Sequence, residues 1–149
     1  MEKDFDGWNE QKKKVNARAD VLFYRVRDVR WCQLGINVGF EQDGTGVQRA
    51  RPVLILKAFS RSVCLVVPLT TSTKQNPYHV SVGTIGDRKA FAIISQLRLV
   101  DTKRIDQKIV HLKVKVFESV KKSRQRHALT ASLVLPLAGA SPKAFVKSL

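Results

Sequence analysis

Acidic residues are scarce in this chain of 149 residues, since 12 Asp and Glu face 27 Lys and Arg. The resulting formal net charge of +15 favours a polyanionic partner, such as nucleic acid, an anionic membrane or an acidic protein. Hydrophobic residues make up 44% of the chain, which excludes intrinsic disorder and is enough to form one compact domain with a core.

Cysteines and long apolar runs are also few. The two cysteines, Cys32 and Cys64, lie in strand-like apolar segments without a C-x-x-C motif or a metal-ligand spacing. We therefore expect small buried side chains in a reducing cytosol. The first residues, MEKDFDGWNEQKKK, lack the apolar segment of an export signal, and the longest apolar run, ALTASLVLPLAGA, is too short to span a bilayer. A soluble, cytoplasmic protein without a membrane role is expected.

A helix is predicted at each end of the chain from apolar residues at helical spacing. The first runs from Asp6 to Leu22, is capped by Asp6, and places Trp8, Val15 and Ala19 on one face. The second is basic and runs from Lys113 to about Leu129.

Between the helices, five or six short strands predict a small closed or nearly closed barrel and a mainly β fold. The strongest are VLILKAF (53–59) and VCLVVPLT (63–70), which are apolar and β-branched and are separated by a turn-like Ser-Arg-Ser. AFAIISQLRLV (90–100) is predicted as one further run, and a short turn or helical piece follows at 101–104. A single domain is expected, and its predicted parts are an N-terminal helix (1–22), a barrel (23–112), a C-terminal helix (113–130) and a loose tail (131–149).

Familiar catalytic signatures are missing, and the three histidines, His79, His111 and His127, show no ligand spacing. We therefore expect no metal site, and a strand histidine such as His79 is more typical of a structural role. Arg51 begins one strong strand and Thr70 ends the next, so an antiparallel hairpin would place both on the same rim. Arginine offers a permanent charge and a planar fork suited to phosphate. The alternative is a surface ion pair, with Thr70 serving the turn.

The segments NVGFEQDG, RPVLILK, VPLTT and AIISQLRLVD follow one another between about Arg25 and Arg104. Their order and spacing resemble the MazF/PemK family of toxins from toxin–antitoxin pairs, and FDGWNEQKKKVNA resembles the helix that precedes the barrel in one branch of that family. The resemblance implies a small SH3-like barrel that forms a homodimer and needs neither metal nor cofactor. It implies an endoribonuclease that cuts single-stranded RNA, including mRNA, at selected sequences and is neutralised by a cognate acidic antitoxin.

The resemblance also assigns roles to individual residues. It implies that Arg51 and Thr70 are catalytic, with Arg51 stabilising charge on the phosphate and Thr70 hydrogen-bonding a phosphate oxygen. The RNA 2′-hydroxyl would be the nucleophile, so the expected products are a 2′,3′-cyclic phosphate and a 5′-hydroxyl. The residues expected to shape or contact the substrate site are Glu41, Gln42, Thr71, Ser95, Gln96 and Arg98.

Two features depart from the family pattern. The segment DGTGVQRA before Arg51 is longer than in compact members, and Ser95 stands where some members carry an acid. The general base is therefore not assigned, and His79 is one candidate to replace it. Two other functions stay open: a toxin of the same fold that binds DNA gyrase, and a noncatalytic RNA-binding module. The aromatic residues lie mainly in apolar strand patterns typical of a core rather than of a base-stacking platform.

Overall fold

The computed structural model describes residues 2–20 and 22–133, with side chains described as far as residue 128. This part of the chain contains two α-helices, seven strands and two 3₁₀ turns, at Ile94–Gln96 and Thr102–Arg104. The helices and strands are α1 (Phe5–Asn16), β1 (Asp28–Cys32), β2 (Arg51–Ala58), β3 (Val63–Thr70), β4 (His79–Ile85), β5 (Arg88–Ile93), β6 (Arg98–Asp101), β7 (Ile105–His111) and α2 (Val114–Leu133).

The strands form one antiparallel sheet in the order β4-β5-β3-β2-β1-β7. One edge of β3 pairs with two strands. Val63–Val66 pair with β6, and Leu69 and Thr70 pair with β5. The sheet is open, since β4 and β7 lie at its two ends, so the predicted barrel is not a closed one. The predicted mainly β fold with a helix at each end is confirmed.

The core lies on both faces of the central hairpin β2–β3. Successive residues of β2 enter different apolar clusters: Val53 and Ile55 pack with Cys32 and Cys64, whereas Leu54 packs in the cluster that also contains buried residues of α2. Burial on both faces explains the continuous apolar run in this strand. Both cysteines are free and buried, and burial raises the pKa of Cys32 to about 12 and that of Cys64 to about 11.

The bounds of α1 differ from the prediction at both ends. The cap is Asp4, whose Oδ1 accepts a hydrogen bond from the Gly7 N–H at 2.8 Å, so the predicted cap at Asp6 is wrong. The helix ends at Asn16 rather than at Leu22. Beyond the C-cap at Ala17, Arg18 donates to Asp106 of β7 at 2.7 Å, and Ala19 is exposed rather than on the buried face of the helix.

Three further differences concern the second half of the chain. The run 90–100 is two strands, because the 3₁₀ turn at Ile94–Gln96 separates β5 from β6. Strand β7 was not predicted, since its sequence IDQKIVH alternates apolar and polar residues only weakly, as a half-exposed edge strand does. Helix α2 reaches Leu133, so the predicted helix end at 130 and tail start at 131 are wrong by three residues. The remaining tail, 134–149, lies outside the described residues.

The predicted turn at 101–104 is confirmed as the 3₁₀ turn Thr102–Arg104, which Asp101 caps by accepting from the Lys103 N–H at 2.8 Å. Within the described ranges, no helix is long and apolar enough to cross a membrane.

Candidate active site

Arg51 is the first residue of β2, beside Cys32 of β1. Val53 of β2 pairs with Pro68 of β3 in the antiparallel hairpin. The same register, continued by two residues, brings Arg51 beside Thr70. Both side chains border one open cleft of about 740 Å³. Its lining residues are Trp31, Thr45, Arg51, Pro52, Leu69, Thr70, Thr71, Ser72, Ile85, Gly86, Arg88, Ala90 and Ile109.

The Arg51 guanidinium is held from two sides. Its Nε donates to the Asp43 carbonyl oxygen at 2.8 Å, and one Nη donates to the Leu69 carbonyl oxygen at 3.2 Å. When the Gln42 amide is oriented with its oxygen toward Arg51, this oxygen also accepts a hydrogen bond from Arg51 Nη2 at 2.9 Å. Burial lowers the pKa of Arg51 and the Asp43 charge opposes this shift. Because arginine stays protonated in proteins, the cleft contains a fixed, half-buried positive charge.

Thr70 presents a hydroxyl to the same cleft. Its Oγ1 accepts a hydrogen bond from the Ser72 N–H at 3.1 Å, which leaves the hydroxyl proton free to donate. Thr71 and Ser72 continue this wall of the cleft. A permanent cation and several hydroxyl donors on one concave surface suit an anionic ligand such as a phosphodiester.

Two cleft residues were missed by the sequence reasoning. Arg88 begins β5 after a turn in which Gly86 adopts φ +61°, and its side chain is exposed. In the described part of the chain, the side chain of Arg88 makes no hydrogen bond or ion pair. Trp31 had no predicted site role, but it is 41% exposed and lines the cleft. A cation placed directly after a tight hairpin turn was the one available signal for Arg88.

The other predicted site residues divide into two groups. Gln96 supports the loop that holds Arg51, because its side chain accepts from the Gln42 N–H and donates to the Phe40 carbonyl oxygen, both at 3.2 Å. Thr71 lines the cleft, and Gln42 contacts Arg51. Apart from Thr71, none of these predicted residues lines the cleft: Glu41, Gln42, Ser95, Gln96 and Arg98 all lie outside its lining. The Glu41 carboxylate instead accepts from the Val38 N–H at 3.1 Å.

Titratable groups are sparse around Arg51. Among the described residues that line the cleft, none carries a carboxylate or an imidazole. His79 lies at a separate pocket formed with residues 73–77 and Phe91, and its Nδ1 is buried without a partner among the described residues. No group of three or more His, Cys, Asp or Glu side chains in the described ranges is arranged to hold a metal ion.

The longer segment before Arg51 forms a small closed hairpin. Thr45 and Ala50 exchange two backbone hydrogen bonds of 2.9 and 3.0 Å, and Gly46 and Arg49 between them adopt positive φ. At Gly44, a Cβ would lie 1.6 Å from the Arg49 carbonyl oxygen, so the glycine permits this close approach. The extra residues are therefore an ordered part of the β1–β2 loop, defined here as residues 33–50.

Comparison with known proteins places the chain in a family. Residues 25–126, more than half of the chain, match the model of the PemK-like, MazF-like toxins of type II toxin–antitoxin systems. The chain therefore belongs to this family of toxins. No curated protein sequence matches it.

Solved structures confirm the fold at low sequence identity. The chain is similar to MazF from Deinococcus radiodurans, with a TM-score of 0.59, 17% identity and coverage of 72% of this chain and 97% of that one. It is similar to the Mycobacterium tuberculosis toxin MazF-mt6, with a TM-score of 0.53, 17% identity and coverage of 67% and 94%. A mycobacterial endoribonuclease solved with its cognate antitoxin gives a TM-score of 0.52, 15% identity and coverage of 76% and 100%.

Proposed function

We propose that this toxin is a metal-independent endoribonuclease that cuts single-stranded RNA at selected sequences. The observation that carries the proposal is the meeting of Arg51 and Thr70 in one open cleft, in a chain of this toxin family. The mycobacterial structural neighbour named as an endoribonuclease and the net charge of +15 support it.

The chemistry needs little from the protein beyond position and charge. RNA supplies its own nucleophile in the 2′-hydroxyl, and the site must hold that oxygen in line with the phosphorus and the leaving 5′-oxygen. Arg51 would stabilise the charge that builds up on the phosphate, and Thr70 would donate a hydrogen bond to one phosphate oxygen. Because no carboxylate or imidazole of the described residues lines the cleft, positioning and charge stabilisation are expected to supply most of the rate enhancement.

The partners follow from the same proposal. The substrate is mRNA in the cytoplasm, and the toxin works as a homodimer that a cognate acidic antitoxin neutralises. The structural neighbour solved in complex with its antitoxin supports the last point. An acidic antitoxin segment would complement the basic surface of this chain.

Cleavage in the presence of a chelator tests the proposed reaction. Antitoxin-free protein is incubated with a long single-stranded RNA in EDTA and, separately, in Mg²⁺, and the new ends are mapped by primer extension. We expect the same discrete cuts at equal rates in both, because the nucleophile comes from the substrate and the charge is stabilised by Arg51. Chemical analysis of the ends should find a 2′,3′-cyclic phosphate and a 5′-hydroxyl.

Three results would contradict this reaction or replace it. Cutting only in Mg²⁺ would mean a metal-dependent nuclease. Tight RNA binding without cutting would favour the noncatalytic module. Inhibition of DNA gyrase supercoiling by a protein that neither cuts nor binds RNA would favour the gyrase-binding toxin.

Arg88→Gln is expected to weaken RNA binding about tenfold, because it removes the cleft cation that has no partner in the described part of the chain. The slope of log affinity against log salt should fall by about 1, as it does when one phosphate contact is lost. Fluorescence anisotropy with a labelled RNA under conditions that block cleavage measures both quantities. The matched control is Lys89→Gln, since Lys89 is the next residue, is also exposed and does not line the cleft. Equal losses for the two variants would show a general charge effect rather than a contact of Arg88.

A further inference from the structure

The N-terminal segment of the chain is fastened to the middle and to both ends of the β1–β2 loop. In the middle, Lys3 Nζ contacts the Asp43 carboxylate at 2.9 Å and donates to the carbonyl oxygens of Asn37 at 2.6 Å and Gly39 at 2.9 Å. One ammonium group thus satisfies three oxygens of the loop, which uses all three of its donors. The two charged side chains are only 27% and 28% exposed, so solvent screens the pair incompletely.

Asp43 connects this contact to the proposed catalytic arginine. Its carboxylate accepts from the Asn37 N–H at 2.6 Å while it contacts Lys3, and its backbone oxygen accepts from Arg51 Nε at 2.8 Å. The position of the Asp43 carbonyl therefore depends on how the Asp43 side chain is held. A shift of Asp43 would remove one of the two carbonyl contacts that aim the Arg51 guanidinium, since the other comes from Leu69.

Helix α1 and its cap fasten the two ends of the loop. Asp4, the helix cap, pairs with Arg49. Gln11, two turns further along, donates to the Gln48 carbonyl oxygen at 2.6 Å and accepts from Arg49 at 3.3 Å. Trp8, between them on the helix, is 5% exposed and packs directly against Gly35.

We propose that residues 3–11 are a brace that pre-organises the β1–β2 loop, with Lys3 as a positioning residue for Arg51 through Asp43. The inference rests on the proposed endoribonuclease function for its kinetic part. A long loop that contains four glycines would otherwise lose much conformational entropy when it orders around a substrate. The brace orders the loop when the protein folds, so this entropy is not lost on RNA binding and Arg51 is already in position.

The test compares Lys3→Met with Lys13→Met in the full chain. Met keeps the unbranched, apolar stem and removes the ammonium group. Lys13 is the matched control, because it is an exposed lysine of α1 whose ion pair, with Glu10 at 2.6 Å, stays within the helix. Lys3→Arg keeps the charge and tests rescue.

The first readout is amide hydrogen exchange, which does not depend on activity. The Asn37 N–H reports the position of the Asp43 carboxylate, and the Gln42 N–H reports the contact with Gln96. We expect exchange at these amides to accelerate by about tenfold or more in Lys3→Met and to stay unchanged in Lys13→Met. Unchanged loop exchange in Lys3→Met would overturn the brace.

The second readout is cleavage under single-turnover conditions. We expect the maximal rate of Lys3→Met to fall about tenfold or more at saturating protein, with little change in RNA affinity, and Lys3→Arg to restore most of it. A loss confined to RNA affinity would make Lys3 an ordinary phosphate contact and would overturn its positioning role. A wild type that cuts no RNA would end the endoribonuclease proposal alone, because the exchange measurement still decides whether the brace exists.

Discussion

Arg51→Ala is expected to lower the single-turnover rate of RNA cleavage by at least about 10³-fold, which corresponds to roughly 4 kcal/mol of transition-state stabilisation. Arg51 supplies a fixed positive charge to the cleft. Among the described residues, Arg88 is the one other arginine or lysine that lines it. Its fork is aimed by the carbonyl groups of Asp43 and Leu69, so nearby water could not replace it at the same position. The measurement is cleavage of a labelled RNA that contains one mapped site.

Two comparison variants make the Arg51 result specific. Arg51→Lys keeps the charge but loses the planar fork, and we expect it to remain strongly impaired. Arg61→Ala removes an exposed arginine at the turn between β2 and β3, at the other end of the same hairpin, and should cut like the wild type.

The stability of Arg51→Ala should stay within about 1 kcal/mol of the wild type, because the side chain is only half-buried and contributes little to the core. Full activity of folded Arg51→Ala would return Arg51 to a structural role.

Gly35→Ala is expected to lower the free energy of unfolding by about 3 kcal/mol. Gly35 adopts φ +81°, a conformation that costs other residues roughly 1–2 kcal/mol. The added Cβ would also lie 2.0 Å from the indole ring of Trp8, so the ring would have to leave its buried position or α1 would have to shift. Loss of a buried aromatic contact adds at least a comparable amount. Urea unfolding followed by tryptophan fluorescence measures the change.

Gly39→Ala is the matched control for the contact with Trp8. Gly39 also adopts a positive φ, +54°, in the same loop, but a Cβ there would meet nothing within 4 Å. Gly39→Ala is therefore expected to lower the free energy of unfolding by roughly 1 kcal/mol, which is the cost of the positive φ alone. The difference between the two variants isolates the packing of Trp8 on Gly35. Equal costs would mean that α1 can move aside freely, and that its packing on the loop contributes nothing to stability.

The central hairpin could be predicted because its signals are local. The β-branched runs of β2 and β3 define two strands of equal length, joined by a short turn. An antiparallel hairpin of two such strands places the start of one beside the end of the other, which brings Arg51 and Thr70 to one rim. The one-residue register shift between Ile55 and Lys57 was not predicted. The burial of Cys32 and Cys64 followed from the same apolar patterns.

The parts that escaped prediction depend on contacts between residues far apart in the chain. The bond between Gln96 and the loop at Gln42 spans 54 positions, and nothing in either segment alone indicates it. The contact of Lys3 with Asp43 is of the same kind, since a lysine in a basic chain has many carboxylates to choose from. Arg88 was missed because its direction depends on the pairing of β5 with the end of β3, at Leu69 and Thr70.

Because the edge of β3 is divided between two partners, the proposed catalytic residues and the proposed RNA-binding arginine belong to different hairpins. Arg51 and Thr70 belong to the hairpin β2–β3, whereas Arg88 belongs to the hairpin β4–β5, which joins β3 only through Leu69 and Thr70. The turn at Gly86 and Asp87 is exposed, so its length and composition can vary without repacking the core. A change in this turn is therefore expected to alter the RNA selection of the proposed enzyme, while the proposed catalytic pair, Arg51 and Thr70, stays in place.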